Sequence, residues 1–124
     1  MPFARISLHR GKPGEYLQAL SQSLHAALVE SFEVPPTDRF QVIHQHEAGE
    51  LIFDRHYLGG PRSDDFLLIE ITAGRVRDTA TKQRFYRSLV QRLQCEPGID
   101  PEDVMVVITT TDAQAWSFGG GRGN

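Results

Sequence analysis

The sequence predicts an α/β fold, an α+β two-layer sandwich of two β-α-β repeats forming a four-stranded sheet with two helices on one face. Three observations predict it. Apolar side chains alternate in several short runs and recur at three- and four-residue steps in two longer ones. Those runs come in the order strand, helix, strand, twice over. A shift of 65 residues then lays the first half on the second: Leu20, Leu24 and Leu28 fall on Phe85, Leu89 and Leu93, and Val34, Pro36 and Asp38 on Ile99, Pro101 and Asp103. The same register puts Ile6 on Ile71, Arg10 on Arg75, and Val42 and Ile43 on Val107 and Ile108. Chance rarely keeps one register through strand, helix, turn and strand. The repeats run roughly over 2–46 and 66–109, inside one domain expected to span 1–124.

Each element has a local cause. Pro2 to Leu8 is the first strand, and the Gly11 to Gly14 stretch punctuates the chain before the first helix. Leu17, Leu20, Leu24, Leu28 and Phe32 form that helix's apolar stripe. Pro35 and Pro36 end it, because proline cannot continue a helix and restricts the residue before it. Residues 39–46 alternate polar and apolar, the period of a half-buried strand. A turn and a short extended piece (51–53) follow, then a polar loop at 59–65. Phe66 to Ile71 is apolar on nearly both faces, as a central strand would be. Phe85, Leu89 and Leu93, widened by Tyr86 and Val90, mark the second helix, which Pro97 and Gly98 end. Val104 to Ile108 is the last main strand. Right-handed crossovers leave one sheet face without helices, so oligomerisation is expected to cover it, with the pieces at 50–54 and 112–118 reaching a neighbour's sheet edge.

Composition narrows the function. A net charge of −3 and a pI near 5.9 argue against nucleic-acid or membrane-surface partners, which call for a basic patch. Cys95 is the only cysteine, which excludes an intramolecular disulfide and a cysteine-based zinc site, and it reads as a half-buried thiol near a helix end. No secretory signal, lipidation motif or long apolar run is evident, so a cytoplasmic location is the expectation. Gly119 to Asn124 reads as a flexible tail and not a phosphate loop, since no helix follows it. His44 and His46 share a strand face, but no third ligand is spaced to join them, and no metal is expected.

The chemically distinctive residue is Pro2. If Met1 is trimmed, which a small second residue permits, Pro2 carries a secondary amine that is both base and nucleophile. An ordinary α-amino group titrates at about 7.7–8.0, and burial lowers that value. An amine poised near neutrality moves protons between carbon and oxygen or condenses with a carbonyl.

Together with Pro2 and the repeat, five local stretches carry a family resemblance. They are Pro35 to Gln41, Ile43 to His46, the Arg75/Arg77 pair, Gly98 to Val104, and Trp116 to Gly119. The chain resembles the tautomerase superfamily, and within it the malonate semialdehyde decarboxylase-like branch, from Pro2 to Arg122. The resemblance implies a trimer with sites near subunit interfaces, no cofactor, and a small carboxylate-bearing oxo or enol acid as substrate. It implies that Pro2 is the catalytic amine, that Asp38 assists it, that Arg75 and Arg77 hold the substrate carboxylate, and that Trp116 and Phe118 belong to an aromatic wall. Residues 78–81 open the second helix differently from the decarboxylase pattern.

The residues fit that chemistry. Guanidinium forks bind carboxylates bidentately and keep their charge, and two arginines one residue apart project to the same side if the strand continues to them. Their charge depresses the pKa of a nearby amine, whereas Asp38 raises it. Asp38 has a second reading, turn stabilisation by side-chain hydrogen bonds, shared with its repeat partner Asp103. The leading activity is decarboxylation of a 3-oxo acid such as malonate semialdehyde. Enol–keto tautomerisation of phenylenolpyruvate-like acids and hydration or dehalogenation of 3-haloacrylate-type acids follow. A non-enzymatic protein–protein signalling module on the same fold is the alternative from another class.

Overall fold

The computed structural model describes residues 2–123. Four strands, β1 (Pro2–His9), β2 (Gln41–His46), β3 (Leu67–Ala73) and β4 (Val104–Thr110), form one sheet in the order β2-β1-β3-β4. Helix α1 (Gly14–Phe32) joins β1 to β2, and α2 (Thr79–Cys95) joins β3 to β4. Within each repeat the two strands are parallel, and β1 meets β3 antiparallel at the centre. The pairing maps onto itself under the sequence repeat: shifting Ala4↔Ile71 by 65 residues gives Ile69↔Ile6, which is also a pair.

One face of the sheet makes the core. Ala4, Ile6 and Leu8 of β1 and Leu67, Ile69 and Ile71 of β3 are buried with Leu20, Leu24, Leu28 and Phe32 of α1 and Phe85, Leu89 and Leu93 of α2. Strand alternation selects the first set and helical spacing the second. At the helix seam the rings of Phe32 and Phe85 lie 4.8 Å apart, and α2 reaches α1 through Ser88 and Arg92, both bonded to Glu30. Phe85 is fully buried. Phe85→Ala is therefore expected to cost about 3–5 kcal/mol, read as a lower urea midpoint.

Several details differ from the sequence reading. β2 begins at Gln41 and not Arg39, while β3 and β4 run on to Ala73 and Thr110. β3 is apolar on one face only, because Glu70 is exposed on the other and Thr72 is half-buried there. Cys95, the last residue of α2, is exposed rather than half-buried. Asp103 does not brace its own turn: its buried carboxylate accepts from the backbone N–H and the hydroxyl of Ser63, both at 2.6 Å. The helix-free face carries part-exposed Val42, Met105 and Val107. No helix among the described residues is long and apolar enough to cross a membrane.

The two pieces expected to extend form no strand with the described residues. Phe53 stacks on Phe66 at 4.3 Å, and a charged network fixes the loop around it. Asp54 accepts from the backbone N–H groups of His56 and Tyr57, while Arg55 bridges to Asp64 at 2.6 Å. These partners hold both carboxyls below the usual aspartate range: backbone hydrogen bonds act on Asp54, and the Arg55 guanidinium on Asp64. A depressed folded pKa contributes stability that is present above the unfolded value, about 3.9 for aspartate, and lost as pH falls through the folded one. Hydrogen-exchange protection factors in residues 54–64 are thus expected to fall below about pH 4, ahead of those in β1 and β3.

Candidate active site

The candidate site residues lie around the end of the sheet where β1 begins and β3 ends. Pro2 opens β1 and is buried, directly opposite Ala73, the last residue of β3. Proline is tolerated there because the first residue of a strand can do without a ladder N–H. Everything else at this end is tied to Ala73 or to the adjoining end of α1.

The two arginines follow Ala73 and Gly74. The strand does not continue to them, contrary to the geometry the sequence suggested, and they converge through the end of α1 instead. Glu33 takes a left-handed conformation (φ 56°) and stops that helix, leaving the Phe32 carbonyl to outside donors. Arg77 Nη2 donates to that oxygen at 3.2 Å and Arg75 Nη2 at 3.5 Å, and Arg77 Nη1 donates to the Arg75 carbonyl at 3.2 Å. Cations at a helix C-terminus also meet the negative end of its dipole. The Arg77 guanidinium lies 4.6 Å from the Phe32 ring centroid, and its Nε is buried with no hydrogen-bond partner. Burial, and next the charge of Arg75, pull the pKa of Arg77 down, though a guanidinium stays charged at any working pH. Arg75 itself is exposed. With Glu33, Val34, Pro35 and Gly74 the two arginines line a hollow of about 300 Å³. Asp38 is half-buried in a turn closed by its N–H on the carbonyl of Pro35, one of the lining residues, at 2.9 Å. Neither Pro2 nor Asp38 lines that hollow.

The aromatic residues reach the same sheet end from the other side. After β4 the backbone N–H of Thr111 donates to the Ala73 carbonyl at 2.8 Å, and the Thr111 hydroxyl accepts from Trp116 Nε1 at 2.7 Å. Trp116 stacks on Phe118, centroids 5.6 Å apart and planes 17° from parallel. Phe118 in turn meets Phe40, 6.1 Å away, at the start of β2. Residues 111–118 therefore cross the Pro2 end of their own sheet, from β4 to the β2 edge. Phe40 is the member that sequence reasoning passed over. It stood in the quoted Pro35 to Gln41 stretch, but nothing in its spacing tied it to Trp116.

The histidines form no metal cluster. His44 Nε2 lies 3.0 Å from Arg5 Nη1, and no group of three or more His, Cys, Asp or Glu among the described residues is placed to hold a metal ion. A roomier hollow of about 580 Å³ lies at the opposite end of the sheet, between Phe53, Leu58, Leu68 and Met105. Under the repeat, Leu67 stands there in place of Pro2, and Asp103 is occupied with Ser63. The larger hollow thus lies away from Pro2 and the arginine pair.

A fold of two β-α-β units with a proline at the head of the central strand and an arginine pair beside it defines a class, and the sequence agrees. Two tautomerase-enzyme families match the chain, one over residues 2–60 and the other over residues 38–119. The chain belongs to the tautomerase superfamily and, within it, to the malonate semialdehyde decarboxylase-like branch; it is an enzyme of the isomerase or decarboxylase kind. Among its relatives is the probable tautomerase YusQ of Bacillus subtilis (strain 168), 38% identical over 98% of this chain and 96% of that one. A malonate semialdehyde decarboxylase, studied structurally for its decarboxylase and hydratase activities, superposes with a TM-score of 0.92 at 33% identity, covering 97% of this chain and 92% of the other. A fused 4-OT symmetric trimer shares the fold alone, with a TM-score of 0.77 at 20% identity over 98% and 94% of the two chains.

Proposed function

We propose that this enzyme decarboxylates a small 3-oxo acid, malonate semialdehyde being the first candidate, with Pro2 as its reacting amine after removal of Met1, which lies outside the described residues. The observation that supports the reading is the pairing of Pro2 with Ala73, the residue two positions before Arg75 in the chain. A carboxylate held by the guanidiniums leaves the aldehyde to the amine. Cleavage of the bond between the carboxylate carbon and C2 releases carbon dioxide, and the electron pair moves toward the carbonyl. Two sinks are open to the same residue: an iminium formed on neutral Pro2 with loss of water, or a hydrogen bond from protonated Pro2 to the carbonyl oxygen. A proton then returns to C2; on the iminium route water then hydrolyses the C=N bond, so that both routes give acetaldehyde and restore the Pro2 amine. The arginines favour the neutral amine and Asp38 the protonated one, so their balance selects the route.

We also read the helix-free face, with Val42, Met105 and Val107 part-exposed, as the surface of a homotrimer whose sites lie near subunit interfaces. The deciding experiment is a proton-NMR time course of the purified protein with malonate semialdehyde. Acetaldehyde formation above the uncatalysed rate supports the proposal. Its absence, with Met1 removal confirmed by mass, overturns it. Reductive trapping by borohydride, followed by intact mass, separates the iminium from the hydrogen-bonded route.

A further inference from the structure

We propose that the helix-free face is an acid-sensitive assembly surface: with His9, His44 and His46 neutral it accepts a second copy of the chain, and protonation of these rings drives the copies apart. The inference rests on the reading above, that copies of the chain meet through this face.

Three observations carry it. The first is which side chains share the face. Ala4, Ile6 and Leu8 of β1 turn into the core, so alternation puts Arg5, Ser7 and His9 on the other side. Ile43 of β2 also packs on the core, which leaves His44 and His46 beside them, paired in register with Ser7 and His9. In β3 the same rule places Glu70 directly opposite Arg5, and β4 adds Met105, Val107 and Thr109, none of them charged. Arg5 and Glu70 thus cancel while the three imidazoles are neutral, and protonating all three leaves a net +3 per copy. The second is the contact between Arg5 Nη1 and His44 Nε2, 3.0 Å apart. A guanidinium only donates, so the ring nitrogen accepts, and it does so only in the neutral imidazole. A proton on His44 removes that acceptor and sets a second cation against the first. The third is the state of the other two rings. His9 Nδ1 donates to the Asp64 carbonyl at 3.2 Å, the His46 ring lies 6.4 Å from that of His44, and Nε2 of both His9 and His46 is buried with no hydrogen-bond partner. A charged imidazole carries a proton on each nitrogen, so either ring would then hold a buried, charged donor without an acceptor.

Little nearby offsets such a charge. Glu70 already faces Arg5, the Asp64 carboxylate is committed to Arg55 at 2.6 Å, and Arg10 and Glu47, at the far end of the same two strands, bridge each other at 2.7 Å. In a single chain the protonated rings and Arg5 turn toward water, which screens them. Beneath a second copy water is excluded, and each positive face meets others like it. Separated chains therefore take up more protons than assembled ones. Association then weakens as pH falls through the ordinary range of histidine, about 6.5.

The test is analytical ultracentrifugation of a dilution series at about pH 7.5 and about pH 5.5, at constant ionic strength. The lower value stays above the ordinary carboxylate range, so the histidines are what it titrates. Wild-type protein is expected to be trimeric at the higher pH, with an apparent dissociation constant at least about tenfold larger at the lower one. His44→Gln keeps an acceptor for Arg5 and takes no proton. It should reduce that rise, and together with His46→Gln it should remove most of it. The single variant carries the test if the double one does not fold. A wild-type trimer equally resistant to dilution at both pH values overturns the inference and leaves the homotrimer standing. A rise undiminished by His44→Gln does the same. A chain that does not self-associate at the higher pH overturns the homotrimer reading, and the inference with it.

Discussion

Pro2→Ala is expected to lower kcat/KM for malonate semialdehyde by about 100-fold or more, within the range lost when a positioned acid, base or nucleophile is removed. The substitution is mild structurally. Pro2 is the first residue of β1, so alanine keeps the strand and its pairing with Ala73, and alanine is also small enough to permit Met1 removal. What changes is the amine. Alanine supplies a primary amine in place of the secondary one, which converts to an iminium less readily, so the residual rate is low but not zero. The sharper comparison is protein that retains Met1. There the Pro2 nitrogen is an amide, its lone pair delocalised into the carbonyl, with neither basicity nor nucleophilicity. That form should show no acceleration at all. Full activity in the Met1-retaining form, with the mass verified, would remove Pro2 from the chemistry whatever the alanine variant does.

How much of this was legible in the sequence follows from which forces act locally. Leu20, Leu24, Leu28, Phe85, Leu89 and Leu93 announced themselves because burial acts on every residue of one helix face, which leaves a period to read. The repeat predicted two matching β-α-β units, while the antiparallel pairing of β1 with β3 that joins them was visible only in the structure, since pairing through β2 and β4 would satisfy the repeat as well. Pro2 and the arginines were visible as residue types, but the way the two arginines converge was not. Arg75 and Arg77 lie beyond the end of β3 and are drawn together by one carbonyl, that of Phe32, some forty positions away in the chain. Phe40 was legible only as part of the alternation over 39–46, and folding of the 111–118 segment across the sheet gives it the Phe118 contact. Asp38 and Asp103 show the limit of repeat logic. They are equivalent in sequence, yet Asp103 is committed to Ser63, a residue whose counterpart in the first repeat does not exist.

The second large effect is expected at Arg77. Arg77→Ala should lower kcat/KM by about 10- to 100-fold, the equivalent of losing a charge-assisted hydrogen bond of about 1.5–3 kcal/mol to the substrate carboxylate. Arg77 is singled out over Arg75 by its surroundings. It is half-buried, its Nη1 and Nη2 are bound to the Arg75 and Phe32 carbonyls, and its Nε is buried without a partner. A buried donor left unsatisfied costs free energy that an incoming carboxylate oxygen recovers. Because the guanidinium is already fixed by two carbonyls and the Phe32 ring, little ordering is needed when substrate arrives. Arg77→Lys keeps the charge but loses the fork, so it should recover only part of the activity, mostly through KM. A merely structural arginine would behave otherwise: lysine and alanine would lower the thermal midpoint together, with kcat/KM of the folded fraction unaltered. Measuring both variants by steady-state kinetics alongside thermal unfolding separates the two. An Arg77→Ala protein with wild-type kcat/KM would move the carboxylate contact to Arg75, exposed at the rim of the same hollow.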